Sequence, residues 1–235
     1  MLNELKKEIE EAKNPEQAKI LQRFFKTGKG EYGEGDIFLG IKVPIQRKIA
    51  NKYTDLLFSD LQVLLNSKKH EERLIALIIL TNKYKKSKKD SVKKRNIFEF
   101  YLKNTQNINN WDLVDLSAPN IVGDFSSIDG TEIIRFLAKS KNIWERRIAI
   151  VSTHTFIRKR IFGETLSIAD MLLKDEHDLI HKAVGWMLRE VGKRNQEVLE
   201  IFLKERYKEM PRTMLRYSIE KFPEEKRKKY LKGEI

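Results

Sequence analysis

Apolar residues recur along this chain at helical spacing. Trp144, Ile148 and Val151 stand at i, i+4 and i+7, as do Leu179, Ala183 and Trp186, so each set forms one stripe of a helix. Leu74 to Leu80 is apolar at every position, which predicts a helix packed on several sides. Trp144 is assigned to the core. Breaks come at regular intervals: Asn14-Pro15, Thr27-Gly28, Val43-Pro44, Ser117-Ala118-Pro119, Asp129-Gly130, Gly163, Met210-Pro211 and Phe222-Pro223. Five prolines and 11 glycines in 235 residues leave long intervals for helices to fill. Only Tyr32 to Val43 departs from the rhythm, and it reads as irregular chain or a short hairpin.

The pattern repeats weakly. Arg73, Arg146 and Lys182 are each followed three positions later by a small residue, Ala76, Ala149 and Gly185. A degenerate copy falls near Asn109-Asn110-Trp111-Asp112. A period in the thirties of residues predicts an all-α, HEAT-like or armadillo-type stack of helix pairs, an α–α superhelix forming one domain over residues 1–235. The small residue lets neighbouring helices approach. The cation at the start of each second helix is expected on the inner, concave face. An ordinary irregular helical bundle is the alternative.

Composition narrows the class. Hydrophobic residues at 40% with charged residues at 34% describe a folded protein. With no cysteine, neither a disulfide framework nor a thiolate metal site is possible, which fits a reducing compartment. The segment MLNELKKEIEEAKN has no apolar core, and no apolar run reaches bilayer length. The expectation is a soluble, cytoplasmic, nucleoid-associated protein without membrane contact. Forty-seven Lys and Arg against 34 Asp and Glu leave a net +13, a surplus that attracts polyanions through counterion release. A lysine-rich solvated surface accounts for the same numbers.

Candidate chemistry collects on the second helices. Trp111 and Asp115 are one turn apart on one side of a helix, Arg147 lies in the next second helix, and Trp186 with Arg189 in the one after. These residues are expected to converge in the cradle. The pair Arg146-Arg147 near a helix start also opposes the helix dipole. Each has a plainer reading: tryptophans at helical spacing are often core, and Asp115 can be a surface carboxylate paired with a lysine. His177 and His181 are i, i+4 but lack a third ligand, so no metal is expected. Arg158-Lys159-Arg160 suits a helix end, and EEKRKKYLKGEI reads as a solvated helix. GKGEYGEG lacks the flanking strand and helix of a nucleotide-binding loop, and no Walker motif occurs, so no cofactor is expected.

Three segments, NNWDLVD (109–115), NIWERRIAI (142–150) and HKAVGWMLRE (181–190), resemble the Trp-Asp-x-Val-Asp, Trp-x-x-Arg and Lys-Ala-x-Gly-Trp-x-Leu-Arg-Glu segments of AlkD-type DNA alkylation repair enzymes. FLGIKVPIQRK (38–48) resembles that family's Phe-Leu-Gly-Ile-x-x-Pro-x-x-Arg segment, and Asn14-Pro15-Glu16 with Arg23 its N-terminal helix pair. The likeness thus runs over nearly the whole chain. It implies a HEAT-like glycosylase, a hydrolase releasing N3- and N7-alkylated purines from double-stranded DNA without cofactor or obligate protein partner. It also implies Asp115 as catalytic carboxylate, Trp111 and Trp186 as aromatic flanks, and Arg147 and Arg189 as supporting cations. Phe24, Lys42, Arg47, Lys48, Arg189 and Arg212 are the expected DNA contacts. Two departures stand out: Phe24 occupies the place of a tyrosine, and residues 28–36 form an insertion-like stretch. They keep open the alternative of a noncatalytic binder of branched or distorted DNA.

Overall fold

Asn14 opens the second helix by accepting the Gln17 N–H on its side chain at 2.9 Å, and Pro15 fills the first helical position, where no N–H is needed. Asp90, Asn142 and Asn195 start helices in the same way. The computed structural model describes residues 1–235, and the chain divides into two compact units, 1–117 and 118–235.

The first unit holds α1 (Leu2–Glu11), α2 (Pro15–Phe24), α3 (Val43–Lys52), α4 (Phe58–Leu65), α5 (His70–Lys86), α6 (Ser91–Lys103) and α7 (Trp111–Ser117). At its centre is α5, buried continuously from His70 to Thr81 and packed against α3, α4, α6 and α7. The all-apolar run Leu74 to Leu80 therefore does what its pattern requires. The second unit begins with a π-helical turn at Pro119–Gly123. It continues through α8 (Asp124–Asp129), α9 (Glu132–Ala138), α10 (Ile143–Ser152), α11 (His154–Arg158), α12 (Gly163–Met171), α13 (Asp178–Gly192), α14 (Gln196–Arg206), α15 (Arg212–Ser218) and α16 (Glu224–Lys232). Trp144 is buried in this unit's core, as its stripe predicts. The chain is all-α. In place of a hairpin at Tyr32 to Val43 there are tight turns and one isolated parallel bridge, Ile37 to Lys69.

The repeat is physical, but its cation does a different job from the one expected. Arg73 folds back to donate to the Ser67 carbonyl at 2.8 Å, while Ser67 Oγ accepts the Lys69 N–H. Arg146 does the same to the Ser140 carbonyl at 3.0 Å, with Ser140 Oγ accepting the Asn142 N–H. The shared sequence is Ser-Lys-x-x-x-Glu-Arg, at 67–73 and 140–146. A third copy starts at Asp175, whose side chain accepts the His177 N–H and whose carbonyl pairs with His181 Nε2. The aligned residue there is thus His181 rather than Lys182, and the cation closes the interhelix turn instead of facing an inner surface. Buried carbonyls in such turns need donors, and a guanidinium supplies several.

The small residue keeps its expected role at Gly185. A Cβ there would lie 2.5 Å from Tyr217 Cβ and 2.6 Å from the Met214 carbonyl oxygen, so α13 and α15 touch through glycine. Gly185→Val is expected to destabilise the protein by about 3 kcal/mol, because the obstructing atoms include backbone. Urea unfolding at equilibrium measures this; an unchanged midpoint would mean the helices separate at no cost.

Candidate active site

Helix α7 is held at both ends. Near its start, Asp112 Oδ2 accepts from His70 Nε2 at 2.8 Å; at its end, Ser117 Oγ meets the buried Tyr101 hydroxyl at 2.9 Å. Leu113, Val114 and Ser117 are buried, whereas Trp111 and Asp115 are half-buried on the opposite stripe. The chemistry-bearing pair therefore sits on a short helix whose position is fixed by its neighbours.

Trp111 lies on an aromatic column. Its ring stacks on Phe25 at 5.1 Å and 16°, Phe25 stacks on Phe38 at 4.8 Å, and Phe38 stacks on His70 at 4.4 Å. Phe24 stands edge-on to both Phe25 and Trp111. Offset stacks and T-shaped contacts are the favoured aromatic geometries, each worth about 0.5–1.5 kcal/mol beyond burial. One face of the indole is thereby backed by protein.

Charge underpins the column. His70 Nδ1 pairs with Asp36 Oδ2 at 3.2 Å, and Arg73 donates to the same oxygen at 2.7 Å. Burial alone would lower the imidazole pKa. The Asp112 charge and hydrogen bonds to Asp112 and Asp36 override it and raise the pKa to about 9. Burial likewise opposes ionisation of Asp36, yet the His70 hydrogen bond and the Arg73 charge hold its pKa below the usual carboxylate value. Two carboxylates facing two cations make a locally neutral buried cluster.

The insertion-like stretch is part of this arrangement. It supplies Asp36 to His70, and its Tyr32 hydroxyl lies 3.3 Å from Trp111 Nε1, so a hydroxyl is present beside the tryptophan although position 24 is phenylalanine. Gln22 ties the stretch to α2, donating to the Thr27 hydroxyl and the Asp36 carbonyl and accepting the Phe38 N–H. The following FLGI turn rests on Glu71, whose carboxylate accepts the N–H groups of Leu39, Gly40 and Ile41. Gly40 has φ of +83°, and any side chain there would collide with the Asn14 carbonyl.

Within the second unit, Arg147 is buried and donates to the Leu179 carbonyl at 2.7 Å, which joins α10 to the first turn of α13. Trp186, further along α13, is half-buried with the His154 ring 6.1 Å away. Burial, then the Arg158 charge, lowers the His154 pKa, which favours a neutral ring there. Arg189 is ion-paired with Glu220, and Arg212 is exposed while donating to the Leu231 carbonyl. His177 caps α13 and His181 closes its preceding turn.

Of the remaining sequence-derived candidates, Phe24 meets Trp111, whereas Lys42, Arg47 and Lys48 are exposed at and along α3. Phe25, Phe38, His70, Asp36, Asp112 and Tyr32 were missed. A signal for some of them existed in the adjacent aromatics Phe24-Phe25 and in Asp112, the first carboxylate of Trp-Asp-x-x-Asp.

The family model described as DNA alkylation repair enzyme matches residues 5–222. No curated protein matches the chain. Among solved structures, a predicted DNA alkylation repair enzyme from Enterococcus faecalis is 20% identical with a TM-score of 0.70, covering 90% of this chain and 97% of its own. AlkD2 from Streptococcus mutans is 18% identical with a TM-score of 0.56, covering 89% of this chain and 99% of its own.

Proposed function

The chain belongs to the DNA alkylation repair enzyme family, and on that premise we propose that it is a DNA glycosylase hydrolysing the N-glycosidic bond of N3- or N7-alkylated purines in duplex DNA. The observation that carries the reading is the pairing of Asp115 with Trp111 on α7, a helix pinned at both ends. Alkylation at N3 or N7 makes the purine cationic, so it departs as a neutral base and needs no general acid. The difficulty is the positive charge that develops on the deoxyribose as the bond to C1′ stretches. A carboxylate beside the sugar stabilises that charge and orients the water that attacks C1′. The products are the free alkylpurine, an abasic site and a proton.

Trp111 and Trp186 supply the selectivity in this scheme. An indole face attracts a cation by about 0.5–2 kcal/mol, more as water is excluded. A charged lesion is therefore held better than an ordinary purine. Phe25 behind Trp111 keeps the indole from turning away.

Exposed Lys42, Arg47, Lys48 and Arg212 provide phosphate contacts. Each replacement by Gln is expected to lower the log–log salt slope of duplex binding by about one, read by fluorescence anisotropy over a salt series. An affinity indifferent to salt contradicts the phosphate role. The activity itself is tested by incubating the protein with duplex carrying 7-methylguanine and assaying the released base.

A further inference from the structure

Residues 83–95, which close α5 and open α6, hold eight Lys and Arg against one carboxylate, Asp90. Helix physics accounts for part of the run. Lys83, Lys85 and Lys86 end α5, where cations suit the dipole. Lys93 and Lys94, however, fall within the first four residues of α6, where they oppose it. The segment also lies away from the contact that fixes α7, since Lys83 stands about 20 Å along α5 from His70.

Between the α3–α4 turn, the end of α5 and the start of α6 lies a hollow of about 340 Å³. Phe58, stacked on Phe100 at 4.8 Å, and the buried Ile97 give it apolar walls, and Lys83, Lys86 and Lys93 give it charge. These cations are only partly satisfied. Lys86 donates to the Thr54 hydroxyl at 3.1 Å, and Lys93 holds an exposed pair with Asp90. Half-buried Lys83 has Asp55 for a charged neighbour but donates to no carboxylate. Burial lowers the Lys83 pKa against the pull of Asp55, and the Lys86 charge adds to the lowering. A carboxylate entering the hollow would relieve that cost. Leu57 and Val92, the chain neighbours of Phe58 and Lys93, are each 67% exposed, so apolar surface continues past the rim.

We propose that this hollow docks an acidic peptide segment of a partner protein, with one large apolar side chain seated against Phe58 and Ile97 and the adjoining carboxylates paired with Lys83, Lys86 and Lys93. The occupant follows from two complementarities. Cations that run on beyond the hollow along residues 83–95 match a series of carboxylates better than one small anion. Apolar walls beneath them match a nonpolar side chain, which a phosphate backbone does not carry. A nucleic acid would need the cations alone. The inference goes beyond the excision reading, and no residue of α7 takes part in it.

The test titrates the full chain into a fluorescein-labelled peptide, Gly-Ser-Asp-Asp-Asp-Asp-Leu-Phe, and reads anisotropy at low salt. Wild type is expected to bind it saturably and about tenfold more tightly than the same peptide ending in Ser-Ser, the effect of burying one apolar side chain. Lys83→Gln is expected to weaken binding about fivefold, and Lys83→Arg, which keeps the charge, by less than about twofold. Phe58→Ala is expected to bring the preference for Leu-Phe to within about twofold. A benzophenone in place of the peptide's terminal ring is expected to crosslink to α4 or α6 on irradiation. Binding that does not saturate, equal affinity for the two peptides, equal losses in Lys83→Gln and Lys83→Arg, or a crosslink mapping elsewhere overturns the proposal. So does an unmodified duplex whose affinity falls in Lys83→Gln and Phe58→Ala as much as the peptide's, since the hollow then belongs to nucleic acid. None of these readouts involves base release, so this inference and the glycosylase reading stand or fall separately.

Discussion

Replacing Asp115 by Asn is expected to lower single-turnover release of 7-methylguanine by about 10²- to 10³-fold, the usual cost of removing one well-placed electrostatic partner of a transition state. Asn preserves the size of the side chain and most of its hydrogen bonding, so α7 keeps its anchors at Asp112 and Ser117. What it loses is the negative charge opposite the developing oxocarbenium ion. Duplex affinity should fall by less than about threefold, or rise, because phosphate contacts dominate binding and a repelling charge has gone. Trp186→Ala should instead weaken recognition of the cationic lesion together with the rate, by about 0.5–2 kcal/mol in each. Undiminished release by Asp115→Asn would move the catalytic group elsewhere.

Replacing His70 by Leu is expected to cost about 3–5 kcal/mol of stability, because it leaves Asp36 and Asp112 facing each other across a buried gap with only Arg73 in compensation. The same cluster predicts a pH signature in the unaltered protein. The folded pKa of His70, about 9, lies above its unfolded value of 6.5, so the stabilisation is complete below pH 6.5 and is lost as pH rises through 9. Asp36 acts in the opposite sense. Its folded pKa is depressed, so its contribution is present above 3.8 and fades as pH falls through the lower folded value. Unfolding free energy should therefore decline between pH 6.5 and 9 by something on the order of 3 kcal/mol, and His70→Leu should abolish that decline. Urea titrations at pH 6 and pH 9 compare the two. A slope that persists in the variant would assign it to another group.

Helices and core were legible because they depend on local spacing. The run Leu74 to Leu80 and the Trp144 stripe state their burial in period alone, and Asn14-Pro15 states a helix start. Trp111 and Asp115 were legible as a pair for the same reason. The supports behind them were not. His70 meets Asp36 and Asp112 from positions 34 and 42 residues away, and Tyr32 meets Trp111 from 79 residues away. No periodicity encodes such pairings, and residues 28–36 read as an insertion rather than as a supplier of Tyr32 and Asp36. The repeat was visible as cation and small residue. The cation's partner was not, because a carbonyl leaves no trace in composition: Arg73 and Arg146 bind turns, and the third copy uses His181.

On the function proposed above, this protein cleaves a glycosidic bond. The most direct measurement mixes excess protein with a duplex bearing one 7-methylguanine and follows free base and abasic sites together over time. Both are expected to appear at equal rates and in equal amounts, with no cofactor added. A duplex that is bound but keeps its methylated base, or that returns to guanine without forming an abasic site, would contradict it and leave a DNA-binding protein or a different repair chemistry in its place.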